Sequence, residues 1–217
     1  MTPAEKTAAI DRMLVNVPVM PVMTVSEPDE AVALGRALAD GGITVLEITL
    51  RTEAALACIA ALRKALPDCM VGAGTVLDEA QLAQALAAGA QFIVTPGTSQ
   101  RFVDKLAAAP VPALPGCATV SEMLTLAAAG FDRLKFFPAE AAGGAAYLKA
   151  VSAPVPQVKF CPTGGIDAGK AAGYLALANV ICVGGSWLAP GAAVKSRDWS
   201  AITKLAREAV ALRPGKA

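Results

Sequence analysis

The alternation of short β-branched segments with longer Ala- and Leu-rich segments constrains the fold of this chain more than any other feature. Eight short apolar segments predict strands, at residues 17–25, 44–50, 70–76, 92–96, 111–116, 133–138, 157–162 and 180–184. The segments between them predict helices, among them 30–40, 53–66, 79–88, 100–108, 120–129 and 168–178. A strand followed by a helix, repeated about eight times at roughly 20–25 residues, is typical of a (β/α)8 TIM barrel near its lower size limit.

The rest of the sequence fits a single α/β domain over residues 1–217. An extra helix is predicted at about 3–14, before the first strand, and a final helix at about 199–212. No linker, low-complexity segment or run of charges divides the chain. A doubly wound parallel sheet remains the alternative architecture, because it has the same strand–helix alternation.

Polar side chains share one face of three predicted strands, because successive side chains point to opposite faces. Glu47 and Arg51 share a face in the second strand, Lys135 and Phe137 in the sixth, and Thr163 lies on the same face as Lys159 in the seventh. In a barrel these faces point inward, and the residues near the C-terminal strand ends line the active site. The residues predicted to face the helices instead are Leu46, Ile48, Leu50, Leu134, Phe136, Val158 and Phe160.

Lys135 is the most informative single residue, because it lies in the apolar segment 133–138. Burial of an ammonium group is costly and favours the neutral amine, which is a nucleophile. A lysine that reaches from a strand end to water is the simpler alternative. Lys159 is the rival nucleophile, but it begins its strand and is expected to point to the barrel floor.

Glu47 and Arg51 are candidates for the same site. A carboxylate within reach of the lysine can act as a general acid and base, and a guanidinium can hold a substrate carboxylate with two hydrogen bonds. A structural ion pair in the barrel mouth is the alternative interpretation of these two residues.

Three glycine motifs follow predicted strands or lie within them. Gly72–Gly74 with Thr75 is a weak match to a dinucleotide-binding motif, and we expect its small residues to let a ligand approach the barrel floor. The alternative is close packing of the strand. The pairs at 164–165 and 184–185 end successive strands and predict two Gly-Gly turns whose N–H groups bind an anion, where barrel enzymes commonly bind phosphate.

Composition excludes several classes of chemistry. The chain contains no histidine, which excludes Ser-His and Cys-His nucleophile pairs and His-bound metals. Its five cysteines are widely spaced without a CxxC motif, so we expect reduced core thiols and no structural zinc. The net charge of +1 and the absence of a long apolar run indicate neither nucleic-acid nor membrane binding. We expect a cytoplasmic protein.

Together these residues resemble one family, the 2-keto-3-deoxy-6-phosphogluconate (KDPG) aldolases, which also act as 4-hydroxy-2-oxoglutarate (KHG) aldolases. The resemblance runs through nearly the whole chain and is carried by residues 41–52, 71–77, 96–97, 136–140, 160–166 and 184–188.

The resemblance implies a class I aldolase, in which a lysine forms a Schiff base with the keto-acid substrate. It implies that Lys135 forms the imine and that Glu47 transfers protons. It further implies that Arg51 and Thr75 hold the pyruvyl carboxylate with Thr163 nearby, that Pro96 and Phe137 form the pocket walls, and that the distal phosphate binds at Gly164, Gly165 and Ser186. The small phosphorylated keto-acid is then the partner, with no metal or cofactor, in a homotrimer.

Other functions remain open at this stage. A phosphate-binding barrel isomerase or epimerase would use Glu47 without an imine, and a non-catalytic barrel would only bind a sugar-acid phosphate. Within the aldolases, the sequence leaves open the configuration at C4, which separates the gluconate-derived substrate from its galactonate epimer. It also leaves open the relative activity on 4-hydroxy-2-oxoglutarate.

Overall fold

The (β/α)8 barrel predicted from the sequence is confirmed in a computed structural model that describes residues 1–212. Its strands are β1 Val19–Met23, β2 Val45–Thr49, β3 Met70–Gly74, β4 Ile93–Val94, β5 Ala113–Leu114, β6 Gly116–Cys117, β7 Arg133–Phe136, β8 Lys159–Pro162 and β9 Val183–Gly185. Its helices are α1 Pro3–Leu14, α2 Pro28–Asp40, α3 Ala55–Ala65, α4 Glu79–Ala87, α5 Gln100–Ala108, α6 Val120–Ala128, α7 Gly144–Val151, α8 Ala168–Leu175, α9 Gly191–Lys195 and α10 Trp199–Val210.

The strands form a closed ring, which excludes the doubly wound alternative. Six of them pair in the order β5-β4-β3-β2-β1-β9, and β6, β7 and β8 pair in a second group. Parallel bridges between Thr163 and Gly184 and between Phe160 and Val180 join the two groups on one side. On the other side the chain itself joins them, because β5 and β6 are consecutive pieces of the fifth barrel position.

The fifth strand of the barrel is interrupted at Pro115, whereas the sequence predicts one continuous strand at 111–116. Proline has no N–H to donate, so a continuous ladder is interrupted there. Before Pro115 the chain pairs with β4, and after it the chain pairs with β7, with Gly116 opposite Lys135.

Two apolar clusters confirm which strand faces point inward. One cluster fills the barrel and includes Met20, Val45, Phe92 and Cys161. The other lies between the strands and the helices. It contains every residue predicted to face the helices, with Leu50 at its partly buried edge. The inward face of β2, β7 and β8 is therefore the face that carries the polar candidates.

Helix α1 closes the N-terminal end of the barrel. Ile10 and Leu14 pack into the inner cluster, and Arg133, at the start of β7, holds Asp11 with two hydrogen bonds of 2.7 and 2.8 Å. Lys159 is exposed at this same end, beside the last turn of α1. The prediction that Lys159 points away from the active-site end is confirmed.

A few boundaries differ from the sequence prediction. Helix α3 begins after Ala54, two residues later than the predicted start at residue 53, and the Thr52 hydroxyl donates to the Val25 carbonyl at 2.6 Å. Asp78 and Asp167 cap α4 and α8. No helix within residues 1–212 is long and apolar enough to cross a membrane. Residues 213–217, which the single-domain prediction includes, lie outside the described residues.

Candidate active site

Lys135 and Glu47 face each other inside the barrel. Lys135 lies on the inner face of β7, one residue before the strand ends, and Glu47 lies on the inner face of β2, two residues before its end. Lys135 is 3% exposed and Glu47 is fully buried. Lys135 Nζ lies 3.4 Å from Glu47 Oε1, so a proton can pass between the two groups without a mediating residue.

The second carboxylate oxygen of Glu47 distinguishes this pair from a purely structural ion pair. Among the described residues, Oε2 is buried and has no hydrogen-bond partner. Buried polar atoms are nearly always paired in folded proteins, and an unpaired one asks for a specific explanation. An oxygen that exchanges a proton with a bound molecule supplies that explanation.

Glycines of β3 make the room that Glu47 needs. A Cβ at Gly74 would overlap Glu47 Oε1 and would lie 2.7 Å from its Cδ and Cγ, and a Cβ at Gly72 would lie 2.5 Å from the Phe92 ring. The expectation that these glycines admit a ligand is therefore wrong. Inward side chains of the protein itself occupy the space, since the barrel interior is closely packed.

Arg51 and Thr75 lie together at the mouth, just after β2 and β3. Arg51 Nε donates to Thr75 Oγ1 at 3.1 Å. Thr75 has φ of +58°, a conformation that a β-branched residue adopts only under strain. In this conformation the hydroxyl of Thr75 lies beside the guanidinium of Arg51. The other N–H groups of Arg51 can then bind an anionic ligand.

Phe137 and Thr163 connect Lys135 to the predicted anion-binding turn. The Phe137 ring centroid lies 5.5 Å from Lys135 Nζ, and a Cβ at Gly164 would lie 3.3 Å from the same ring. Thr163 directly follows the neighbouring strand β8 and is 6% exposed. Lys135, the Phe137 ring and the turn at Gly164 thus form one continuous surface.

Only one of the two predicted Gly-Gly turns is present. Gly164 and Gly165 have φ of +105° and +76°, which glycine adopts without strain. Gly184 and Gly185 lie inside or at the end of β9 instead, so their prediction as a turn is wrong. A Cβ at Gly184 would overlap Thr163 Oγ1, and a Cβ at Gly185 would overlap the Trp187 ring. Packing therefore explains this second pair.

Residues 10–205 match the family model described as "Aldolase: KDPG and KHG aldolase". The chain belongs to the KDPG and KHG aldolase family.

Relatives in this family are similar over nearly their whole length. The KHG/KDPG aldolase of Escherichia coli K12 is 47% identical over 205 residues, which cover 94% of this chain and 96% of the relative. A KDPG aldolase of Legionella pneumophila, solved with pyruvate captured at low pH as a covalent carbinolamine intermediate, superimposes with a TM-score of 0.88. It is 42% identical, covering 95% of this chain and 97% of that one.

A third relative is the KDPG aldolase of Zymomonas mobilis ZM4, solved with 3-phosphoglycerate. It superimposes with a TM-score of 0.89 at 41% identity, and the match covers 95% of this chain and 97% of that one. Two solved members of the KDPG and KHG aldolase family thus hold pyruvate or a phosphorylated three-carbon acid.

Sequence reasoning missed the residues that hold Pro96. Thr95, fully buried directly after β4, accepts from Gly116 N at 2.8 Å, and Thr98 Oγ1 donates to Gly116 O at 3.3 Å. A Cβ at Gly116 would overlap the Pro96 carbonyl. Pro96 therefore lies directly over the residue that pairs with Lys135. The sequence signal that could have indicated these contacts was Thr95, a threonine next to Pro96 at the end of a predicted strand.

Ser186 and the cysteines complete the set of candidates in this family member. Ser186 follows β9 and is exposed at the mouth. All five cysteines are free, as predicted, and all five are buried. Burial raises the pKa of Cys117 to about 12, which keeps this thiol protonated and unreactive at neutral pH. Within residues 1–212, no three His, Cys, Asp or Glu side chains group as metal ligands.

Gly74→Ala tests whether the Glu47 position matters. The new Cβ is expected to push the carboxylate away from Lys135, and a displacement of about 1 Å in an active site can cost on the order of 10²-fold in rate. We expect kcat to fall by about that factor and the Tm to fall by a few degrees, because overpacking a closely packed interior is destabilising. Gly173→Ala is the control, because its Cβ would meet nothing within 4 Å. Unchanged kcat in Gly74→Ala would show that the Glu47 position is not critical.

Proposed function

We propose that this chain is a class I aldolase. It cleaves 2-dehydro-3-deoxy-6-phosphogluconate to pyruvate and glyceraldehyde 3-phosphate, and also 4-hydroxy-2-oxoglutarate to pyruvate and glyoxylate. The observation that carries the proposal is the buried Lys135–Glu47 pair, with one carboxylate oxygen unpaired. Membership in a family with a solved pyruvate carbinolamine supports it further.

Imine formation begins with the Lys135–Glu47 pair. Transfer of a proton from Lys135 Nζ to Glu47 Oε1 leaves a neutral amine, whose lone pair adds to the C2 carbonyl carbon. The carbonyl oxygen takes up the proton that the newly bonded nitrogen loses, which gives the neutral carbinolamine. Glu47 then donates a proton as this hydroxyl leaves as water, and a protonated imine remains on C2.

Cleavage uses Glu47 in the opposite direction. The carboxylate takes the proton of the C4 hydroxyl, the C4 oxygen becomes an aldehyde, and the C3–C4 bond breaks. The bonding electrons move to the imine and form a neutral enamine. Glu47 then returns its proton to C3, and water releases pyruvate from Lys135. The protonated imine stabilises the developing carbanion, so this route requires no metal or cofactor.

The remaining candidates divide the substrate between them. Arg51 and Thr75 hold the pyruvyl carboxylate at one side of Lys135, with Thr163 on the neighbouring strand. Pro96 and Phe137 form the walls. At the other side, Gly164, Gly165 and Ser186 receive the distal phosphate. The hydrogen bond from Arg51 to Thr75 supports the carboxylate site. The left-handed backbone of Gly164 and Gly165 supports the phosphate site.

Steady-state kinetics on three pure substrates tests the proposal. Pyruvate is expected from the gluconate-derived substrate and from 4-hydroxy-2-oxoglutarate, with the higher kcat/KM on the former. A higher kcat/KM on the galactonate epimer would make this chain a galactonate-specific aldolase instead. If none of the three yields pyruvate, the proposal is wrong and an isomerase or epimerase without an imine becomes the better reading.

Gly165→Val tests the phosphate assignment. Valine is strained at φ of +76°, and its Cβ would lie 2.8 Å from Glu140 Cβ and Cγ. We expect kcat/KM on the phosphorylated substrate to fall by at least about 10²-fold, since the loss of more than one hydrogen bond to a charged group is involved. Cleavage of 4-hydroxy-2-oxoglutarate should fall much less. Equal losses on both substrates would give the turn a structural role only, and Gly173→Val serves as the control.

The homotrimer implied by the resemblance and the cytoplasmic location expected from the composition belong to the same proposal. Sedimentation equilibrium is expected to give a mass three times that of the 21.9-kDa chain. A monomer mass at micromolar concentration would contradict the trimer without affecting the chemistry proposed for Lys135.

A further inference from the structure

A polar cluster beside the anion-binding turn takes no part in the chemistry described above. It consists of Glu140, Lys170 and Tyr174, called here the Glu140 cluster. Glu140 follows β7, and the other two residues lie on α8. Glu140 Oε2 accepts from Lys170 Nζ at 2.8 Å, and Glu140 Oε1 accepts from the Tyr174 hydroxyl.

The cluster and its neighbour Ala139 bind three consecutive carbonyls of the turn. Ala139 N donates to Thr163 O at 2.8 Å, and Glu140 N donates to Gly164 O at 3.1 Å. Lys170 Nζ donates to Gly165 O at 3.0 Å while it keeps its ion pair with Glu140. The segment that follows Lys135 thus holds the turn from one side.

These bonds fix the direction of the N–H groups of the turn. The peptide bonds of residues 163–166 are trans, and in a planar trans peptide the C=O and N–H bonds point in opposite directions. When the carbonyls of residues 163, 164 and 165 point toward the Glu140 cluster, the N–H groups of residues 164, 165 and 166 point away from it. Within residues 1–212, no acceptor binds the N–H of Gly164 or Gly165.

Packing and charge both favour one geometry for the cluster. The Glu140 stem lies so close to Gly165 that a Cβ there would meet its Cβ and Cγ at 2.8 Å. The hydrogen bond from Lys170 lowers the pKa of Glu140, and the carboxylate in turn raises the pKa of Lys170. Both groups are therefore charged at neutral pH, where charge-assisted hydrogen bonds are strongest.

We propose that the Glu140 cluster is a positioning unit for the distal phosphate. It holds three carbonyls on one side of the 163–165 segment so that the N–H groups on the other side converge on the phosphate. Glu140 and Lys170 do not touch the substrate and act through the turn. The inference rests on the proposed function, since it assumes that this turn receives the phosphate of the keto-acid.

Lys170→Met and Glu140→Gln test the inference against a matched control. Methionine keeps the length of the lysine side chain but cannot donate to Gly165 O or Glu140. The control is Lys105→Met, because Lys105 forms a comparable exposed ion pair of 2.8 Å with Glu79, away from the turn. For each variant, kinetics on the phosphorylated substrate and on 4-hydroxy-2-oxoglutarate would be measured, with inhibition by inorganic phosphate and borohydride trapping with pyruvate.

We expect the KM for the phosphorylated substrate to rise on the order of tenfold in Lys170→Met, an effect comparable to the loss of one hydrogen bond. The inhibition constant for inorganic phosphate should rise with it, and Glu140→Gln should act in the same direction. The kinetics of 4-hydroxy-2-oxoglutarate and the trapping with pyruvate should stay within about twofold of wild type, as should every value for Lys105→Met.

Two outcomes would overturn the inference. One is unchanged KM for the phosphorylated substrate in Lys170→Met, and the other is an equal loss on both substrates, which indicates a purely structural role. Lys170 is a surface residue, so its variant decides the matter even if Glu140→Gln folds poorly. Failure of the proposed function would look different, because wild-type protein itself would then show no trapping with pyruvate.

Discussion

Lys135→Arg is expected to abolish turnover while the barrel stays folded. Arginine keeps the positive charge opposite Glu47, so the variant does not leave a buried carboxylate without a counter-charge. The guanidinium stays protonated at neutral pH and cannot add to a carbonyl carbon. Loss of a covalent nucleophile removes the whole imine route, and we expect kcat to fall by at least about 10⁴-fold. Steady-state kinetics measures this loss, and circular dichroism with thermal unfolding checks the fold.

Lys159→Arg is the matched control for that experiment. Lys159 is exposed at the opposite end of the barrel, beside the last turn of α1, so its kcat should stay within about twofold of wild type, as for most surface substitutions. If Lys159→Arg lost activity and Lys135→Arg kept it, the assignment of the nucleophile would be wrong.

Glu47→Gln is expected to slow proton transfer more than it weakens binding. Glutamine keeps the shape of the side chain and fits the space that exists because residue 74 is a glycine. Its amide, however, cannot act as a proton donor and acceptor at neutral pH. General acid–base groups contribute typically about 10²–10⁴-fold, so kcat should fall by about that factor while KM moves less. Steady-state kinetics on the phosphorylated substrate gives both constants.

The control for Glu47→Gln is Glu79→Gln, since Glu79 is exposed on α4 and pairs with Lys105, away from Lys135. Its kinetics should match those of wild type. An unchanged kcat in Glu47→Gln would assign the proton transfers to another group or to water, and the unpaired Oε2 would then need a different explanation.

The barrel and the facing positions of Lys135 and Glu47 were predictable because they depend on periodicities within short segments. Alternation along β2 and β7 places Glu47 and Lys135 on one face whatever the rest of the chain does, and the two apolar clusters confirm that face as the interior. The break at Pro115 follows from the missing N–H of proline, but the partner of each half depends on strands distant in sequence.

The glycine motifs show where local reasoning ends. A glycine inside a strand indicates that something approaches closely, yet the sequence does not say whether a ligand or a side chain does so. At Gly74 it is Glu47, and at Gly184 it is Thr163. Of the three glycine motifs, the Gly164–Gly165 pair is the one with the left-handed backbone of a turn. The Glu140 cluster was equally hidden, because Glu140 and Tyr174 are 34 positions apart.

Borohydride reduction in the presence of pyruvate, followed by mass mapping of the peptides, tests the central claim most directly. An imine is reduced to a stable secondary amine, so the lysine that reacted keeps the three-carbon unit. The adduct is expected on Lys135 alone, at one per chain, and only when pyruvate is present. An adduct on Lys159, or no adduct while the protein still cleaves its keto-acid substrate, would contradict imine chemistry at Lys135.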